Sequence, residues 1–243
     1  MTANRGTGGA EQVVQVPLGA ITLEGNLGLP PQPRGVVLFA HGSGSSRHSP
    51  RNRYVAGVLL EAGLATLLID LLTPEEERID LRTTELRFDI GLLAQRLAGA
   101  TDWLQQAPGT RGLPVGCFGA STGGGAALVA AAARPAAIRA VVSRGGRPDL
   151  AGAALARVQA PTLLLVGGAD IPVIALNEQA LAQLRGVKEL AIVPGATHLF
   201  EEPGTLEEVA RRARDWFLRY LPPDAATQPA IPPAVHPQGP APA

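Results

Sequence analysis

A glycine-rich stretch, GCFGASTGGG at positions 116–125, contains the chain's single cysteine, Cys117, and a serine, Ser121. Glycines stand two positions before and two positions after Ser121, whereas Val115 stands two before Cys117. A G-x-S-x-G sequence between a strand and a helix exposes a nucleophilic hydroxyl on a tight turn where the two backbones nearly touch. The spacing therefore predicts Ser121 as a nucleophile and Cys117 as a core residue. The alternative is an ordinary strand-to-helix turn.

A serine nucleophile needs a base to take its proton and an acid to orient that base. The histidines are His41, His48, His198 and His236. His198, in PGATHLF, follows the last predicted strand, while the others precede the serine or lie near the end of the chain. Asp170, in VGGAD, ends the preceding strand. The order Ser121, Asp170, His198 predicts a catalytic triad, with Asp149 as the alternative acid.

A tetrahedral intermediate also needs backbone N–H groups aimed at its oxyanion. One predicted donor is the amide of Thr122, directly after the nucleophile, and the other is the amide of Ser43, in the loop HGSG at positions 41–44. His41 is a candidate substrate-binding residue. The loop is an unconvincing phosphate cradle because no Gly-Lys-Ser/Thr sequence follows it.

Further candidates for substrate binding are the arginines Arg47, Arg51, Arg87 and Arg144. A guanidinium group can bind a carboxylate or a phosphate through two hydrogen bonds. The first two lie in the loop SSRHSPRN, where arginines could instead be solvated or fix the loop to carboxylates such as Asp70. For this loop we favour the structural role.

Alternating strands and helices must position these residues. QVVQV and ITLEGNLGLP read as two strands that turn near Gly19. Apolar strands are predicted at 35–40, 65–72, 114–120, 138–144, 161–168 and 188–194, and helices near 52–63, 83–106, up to 133, 173–184 and 205–220. Uninterrupted apolar strands that alternate with helices indicate an α/β fold with a parallel sheet covered on both faces. Ligands bind at the carboxyl ends of such strands, where the three triad candidates lie.

The chain of 243 residues is long enough for one such domain. We expect a flexible N-terminus at 1–12, the domain at 13–221 and a Pro/Ala-rich flexible tail at 222–243. A single cysteine excludes an internal disulfide and fits a reducing compartment. No apolar run approaches the roughly 20 residues of a membrane span, and no signal peptide is evident. We therefore expect a cytoplasmic protein.

The composition also bears on partners. The 21 basic and 21 acidic residues balance, so no bulk field favours nucleic acid or an anionic membrane. One cysteine and scattered histidines make a poor ligand set, so we expect no metal and no cofactor. The expected partner is a small-molecule ester, and the protein is expected to be a monomer or a small homo-oligomer.

Taken together, HGSGSSRHSPRN, GASTGGG, LLLVGGAD and GATHLF resemble the α/β-hydrolase superfamily, and within it the dienelactone-hydrolase-like branch, over about residues 13–221. The resemblance implies a predominantly parallel sheet of about eight strands with an antiparallel start and no large lid. It also implies ester hydrolysis through an acyl-enzyme intermediate. Some relatives with the HGSGSSR loop are encoded fused to or beside phosphoribosyltransferase domains, but nothing in this chain shows such a partner.

The sequence departs from that branch at three places. Dienelactone hydrolases have a cysteine nucleophile, where this chain has Ser121, and a glutamate near the oxyanion loop, where it has His41 and Gly42. No arginine follows His198 within a helical turn. Dienelactone is therefore not the expected substrate. The sequence favours a serine carboxylesterase acting on small soluble esters; the alternatives are a thioesterase or acyltransferase with the same triad, and a non-catalytic binding module.

Overall fold

The computed structural model describes residues 10–222 and folds them around one eight-stranded sheet. The strands are β1 (Ala10–Leu18), β2 (Ile21–Leu29), β3 (Val36–Ala40), β4 (Ala65–Ile69), β5 (Val115–Ala120), β6 (Ile138–Arg144), β7 (Thr162–Gly167) and β8 (Lys188–Val193). The helices are α1 (Pro50–Glu61), α2 (Pro74–Thr83), α3 (Ile90–Leu104), α4 (Thr122–Ala133), α5 (Ile171–Gln183) and α6 (Thr205–Tyr220). Two 3-10 segments span Leu86–Phe88 and Pro148–Arg157.

The sheet has the strand order β1-β2-β4-β3-β5-β6-β7-β8. β1 pairs antiparallel with β2, and β2 pairs antiparallel with β4. Strands β3 to β8 run parallel, so their carboxyl ends meet at one edge. This architecture confirms the predicted α/β class with an antiparallel start.

Helices cover both faces of the sheet, and each face has its own apolar core. Successive strand side chains point to opposite faces, so Leu38 packs in one core while Phe39 packs in the other. Phe39 lies against Phe118 of β5, with ring centroids 5.0 Å apart. Because both faces are dry, the central strands β3 and β5 are apolar along their whole length. This burial holds the carboxyl ends of the strands in fixed positions.

The single helix predicted at 83–106 is wrong, because the chain breaks between α2 and α3. Thr84 adopts a left-handed conformation with φ 60° and ends α2. After the 3-10 turn, the Asp89 side chain accepts a hydrogen bond from the Leu92 amide at 2.9 Å and caps α3. An N-cap aspartate inside the amphipathic pattern is the signal that marks this boundary.

Helix α2 was not predicted, because its sequence PEEERIDLRT is mostly polar. A capping box begins it: the Glu76 amide donates to the Thr73 hydroxyl, and the Thr73 amide donates to the Glu76 carboxylate at 2.8 Å. Pro74 at the first helical position adds to this start. The Thr-Pro-Glu-Glu sequence carries this information, whereas hydrophobic periodicity does not.

The predicted start of the domain differs from the structure. Residues 10–12, expected to be part of a flexible N-terminus, belong to β1 and pair with β2. The rest of that segment, residues 1–9, lies outside the described residues, as does the predicted tail at 223–243.

Candidate active site

Ser121 stands between β5 and α4 in a strained backbone conformation. Its φ is 51° and its ψ is −121°, a combination that side-chain-bearing residues rarely adopt. The strain is held by hydrogen bonds on both sides: the Ser121 amide donates to the Arg144 carbonyl at 3.2 Å, and the Ser121 carbonyl accepts from Gly124 at 2.9 Å. Such turns expose the side chain at the top of the sheet and at a helix N-terminus.

The glycines around Ser121 are required by close backbone contacts. A Cβ on Gly119 would lie 2.5 Å from the Gly123 carbonyl oxygen, and a Cβ on Gly123 would lie 2.3 Å from the carbonyl oxygen of Ala40. Both distances are far below van der Waals contact, so no larger residue fits without moving the backbone. The G-x-S-x-G spacing therefore follows from how β3, β5 and α4 pack together.

Cys117 is fully buried inside β5. Burial raises the pKa of its thiol to about 12. The thiol is therefore protonated near neutral pH, and the reactive thiolate is not formed. This confirms the interpretation of Cys117 as a core residue.

His198 and Asp170 lie side by side in the loops that follow β8 and β7. His198 Nδ1 is 2.7 Å from Asp170 Oδ2, and the Asp170 side chain is only 12% exposed. An ionised carboxylate can only accept, so Nδ1 carries the proton and Nε2 of the neutral imidazole is left with a lone pair. Gly167 lets these loops approach, because a Cβ there would lie 2.4 Å from the Ala196 carbonyl oxygen. The imidazole is thus arranged to act as a base.

Asp149, the alternative acid, is engaged elsewhere. Its carboxylate accepts two hydrogen bonds from the Arg147 guanidinium, at 2.7 and 2.8 Å. It makes no hydrogen bond to His198 within residues 10–222. The geometry therefore favours Asp170 as the partner of the histidine.

Ser121 and His198 line the same cavity, which has a volume of about 210 Å³. The other lining residues include Ser43, Arg51 and Arg144. Among the described residues, no hydrogen bond joins the Ser121 hydroxyl to His198. Such catalytic hydrogen bonds often form only when substrate binds.

The predicted oxyanion donors lie next to each other. Thr122 is the first residue of α4, and the Ser43 amide donates to the Thr122 hydroxyl at 2.9 Å. A Cβ on Gly42 would lie 3.1 Å from the Cβ of Ser121, so the loop passes directly beside the serine. The sequence did not reveal that the Thr122 hydroxyl accepts the hydrogen bond of the Ser43 amide. An incoming oxyanion would have to replace it.

His41 has a different environment from the one predicted. Its Nε2 accepts from the Leu71 amide at 3.1 Å, so Nδ1 carries the proton and lies 3.0 Å from the Gly42 carbonyl oxygen. Burial lowers the pKa of His41, which keeps the ring neutral. Although His41 lines a second cavity of about 230 Å³, both ring nitrogens are occupied by backbone. It therefore ties the oxyanion loop to the loop after β4 rather than offering a nitrogen to substrate.

Two of the four candidate arginines form ion pairs away from Ser121. Arg47 binds Asp70 through backbone and side chain and also binds Glu24 at 2.8 Å. Arg87 holds Asp80 at 2.5 Å and lines the second cavity. The expectation that Arg47 fixes its loop to Asp70 is confirmed, and neither arginine lines the cavity beside Ser121.

The other two arginines, Arg51 and Arg144, line the cavity beside Ser121. Ser49 and Asn52, which were not singled out from the sequence, also line it. Helix α1 begins at Pro50, two residues before the predicted start, and Ser49 is its N-cap. The Ser-Pro pair is the sequence signal for this start.

Within residues 10–222, no cluster of histidine, cysteine, aspartate and glutamate side chains is suited to hold a metal ion. No helix in the same range combines the length and the apolar character needed to cross a bilayer.

A parallel sheet with a strained serine after β5, and with acid and histidine loops after β7 and β8, defines the α/β-hydrolase fold. The chain belongs to the dienelactone hydrolase family, whose sequence profile matches residues 23–221. Membership places it among the hydrolases. Comparison with solved structures agrees: a dienelactone hydrolase from Anabaena variabilis is 67% identical, with a TM-score of 0.87 over 88% of this chain and 99% of that one.

Other relatives are informative in different ways. Est1E from Butyrivibrio proteoclasticus is 16% identical with a TM-score of 0.72, covering 86% of this chain and 98% of its own, which shows a shared fold. A protein from two strains of Mycobacterium tuberculosis, provisionally named a phosphoribosyl transferase, is 62% identical over 211 residues. The match covers 87% of this chain but 47% of that protein, so the chain spans about half the length of these curated relatives.

Proposed function

We propose that the chain is a serine carboxylesterase that cleaves small soluble carboxylic esters through an acyl-enzyme intermediate. The observation that carries this proposal is the cavity that Ser121 and His198 share, with His198 Nδ1 held 2.7 Å from the Asp170 carboxylate. These are the parts required to turn a weak hydroxyl into a nucleophile.

In the proposed reaction, Ser121 Oγ attacks the ester carbonyl carbon while His198 Nε2 takes its proton. The carbonyl oxygen becomes an oxyanion, which accepts hydrogen bonds from the amides of Ser43 and Thr122. Collapse breaks the bond to the alkoxy oxygen, and His198 gives its proton to the leaving alcohol. Asp170 stabilises the imidazolium during both steps. Water, deprotonated by His198, then attacks the acyl carbon, the bond from that carbon to Ser121 Oγ breaks, and His198 returns the proton to Oγ as the acid is released.

The oxyanion step requires a local exchange of hydrogen bonds. The Ser43 amide now donates to the Thr122 hydroxyl at 2.9 Å. The oxyanion replaces that hydroxyl as acceptor, so the Ser43 amide exchanges a neutral acceptor for a negatively charged one and its hydrogen bond becomes stronger. Each donor of this kind is worth about 100- to 1,000-fold in rate.

The activities that the names of the relatives suggest are not assigned to this chain directly. The provisional transferase name belongs to proteins about twice as long as the matched region, so we assign no transferase activity to this chain. The name of the Anabaena relative makes dienelactone a compound to test. We expect simple esters to be better substrates, because Glu201 and Glu202, rather than an arginine, follow His198.

The proposal is tested by measuring turnover of 4-nitrophenyl acetate, butyrate and octanoate, of matching thioesters and of dienelactone. We expect hydrolysis of the short oxygen esters, and loss of about 10³-fold or more in kcat/KM in Ser121→Ala and His198→Ala. Preference for the thioesters would assign a thioesterase instead. If folded wild-type protein hydrolyses none of these compounds, the esterase proposal is wrong.

A further inference from the structure

The cavity beside Ser121 is lined by a buried cation, the guanidinium group of Arg144. Arg144 is 7% exposed, and within residues 10–222 no carboxylate forms an ion pair with it. Among the described residues its Nε has no hydrogen-bond partner, while one terminal nitrogen donates to the Leu199 carbonyl at a long 3.4 Å. Its guanidinium carbon lies 5.8 Å from the ring centroid of Phe200. An uncompensated buried charge costs stability, so its presence beside a nucleophile calls for a ligand.

A second arginine faces the same space. Within the described part of the chain, Arg51 also has a buried Nε without a hydrogen-bond partner, and its ion pair with Glu201 at 2.8 Å is partly exposed and therefore weak. Burial lowers the pKa of Arg144 to about 10, and the charge of Arg51 adds to this effect. Two neighbouring like charges disfavour each other, and both would be stabilised by one bound anion.

The start of helix α1 adds to the positive potential. Its N-cap Ser49, together with Arg51 and Asn52 in its first turn, lines the cavity. The first turn has no acidic residue, so no carboxylate in that turn compensates the positive end of the helix dipole. Among the described residues that line this cavity, none is acidic. By contrast, Asp70, Glu77 and Asp80 line the second cavity.

We propose that this cavity binds a phosphate monoester group carried by the substrate, so that the enzyme acts on a small phosphorylated ester. The proposal rests on the proposed esterase function, because Ser121 and His198 form part of the same wall. Two guanidinium groups and a helix N-terminus match the charge of a phosphate dianion better than that of a carboxylate. The three outer oxygens of the phosphate also offer an acceptor to each of these groups.

Binding of inorganic phosphate is the first test, because it does not depend on turnover. Isothermal titration of the full-length chain should show binding that weakens at least about tenfold in Arg144→Met and in Arg51→Met. The matched control is Arg53→Gln, which removes an exposed arginine of the same helix and should leave the affinity unchanged. Absence of binding to wild type, or equal weakening in the control, would overturn the proposal.

The folding of the Arg144 variant is checked by thermal melting. Because the buried charge of Arg144 has no counter-ion among residues 10–222, Arg144→Met should melt no lower than wild type. If that variant does not fold, Arg51→Met gives the same test from the less buried side of the cavity.

Turnover then tests whether the phosphate belongs to the substrate. The probes are monoacetylglycerol, its 3-phosphate and an analogue with a carboxylate in place of the phosphate. We expect wild type to prefer the phosphorylated ester at least about tenfold in kcat/KM, mainly through KM, with the preference lost in Arg144→Met and partly kept in Arg144→Lys. Equal or greater preference for the carboxylate analogue would overturn the phosphate assignment. Arg144-dependent phosphate binding without turnover of any ester would overturn the esterase proposal and leave the anion site intact.

Discussion

At the scale of single residues, the contrast between Asp170 and Asp149 is informative. Both carboxylates follow a strand of the sheet, but Asp170 contacts the His198 imidazole while Asp149 is held by Arg147. The sequence left both open because the direction of a side chain after a strand is set by its loop. Here Arg147, two residues before Asp149, sets the direction of that carboxylate, because this separation allows a bidentate ion pair.

Replacing each carboxylate by its amide separates their roles. We expect Asp170→Asn to lower kcat by about 10³- to 10⁴-fold, because an amide can donate to Nδ1 and favour the wrong tautomer of His198. Asp149→Asn should stay within about twofold of wild type, because neither Asp149 nor its partner Arg147 lines the cavity beside Ser121. Steady-state kinetics on 4-nitrophenyl acetate gives both values. A larger loss in Asp149→Asn than in Asp170→Asn would reverse the assignment.

At the scale of elements, the turn between β5 and α4 depends on glycines that touch neighbouring backbone. We expect Gly123→Ala to destabilise the protein by about 3 kcal/mol or more, because its Cβ would lie 2.3 Å from the Ala40 carbonyl oxygen. Gly57→Ala, within α1, is the matched control: a Cβ there meets nothing within 4 Å. It should stabilise by about 0.5–1 kcal/mol through helix propensity. Urea denaturation measures both, and a similar small effect at the two sites would refute the packing argument.

The loops after β3 and β4 are joined by the neutral imidazole of His41, and this contact should depend on pH. Burial lowers its pKa in the folded protein below the ordinary 6.5, so below pH 6.5 the unfolded chain binds a proton that the folded chain does not. Its contribution to stability is therefore complete above pH 6.5 and falls as the pH drops towards the lowered pKa, by at most about 1.4 kcal/mol per pH unit.

The free energy of unfolding of wild type and of His41→Gln, measured from pH 7.5 to pH 5, checks this sign. We expect the wild type to lose more stability on acidification than the variant, which lacks the titrating group. The variant should also lose esterase activity, because the Ser43 loop is no longer tied to Leu71. Parallel pH profiles for the two proteins would contradict the expectation.

At the scale of the whole molecule, the strands and the order of the site residues could be predicted because each depends on local sequence. Apolar runs identify buried strands, and parallel strands bring their carboxyl ends, and hence Ser121, Asp170 and His198, to one edge. Side-chain partners could not be predicted in the same way. Whether an arginine such as Arg47 or Arg144 pairs with a carboxylate depends on loops that are distant in sequence. Arg47, for example, contacts Asp70 only after folding.

The central proposal is that the fold makes the strained Ser121 an activated nucleophile and leaves the buried Cys117 unreactive. The most direct measurement is intact mass after treatment with a fluorophosphonate, on wild type, Ser121→Ala and Cys117→Ala. We predict one adduct on wild type and on Cys117→Ala, and none on Ser121→Ala. A folded wild-type protein without an adduct, or a Ser121→Ala protein that still carries one, would contradict the claim.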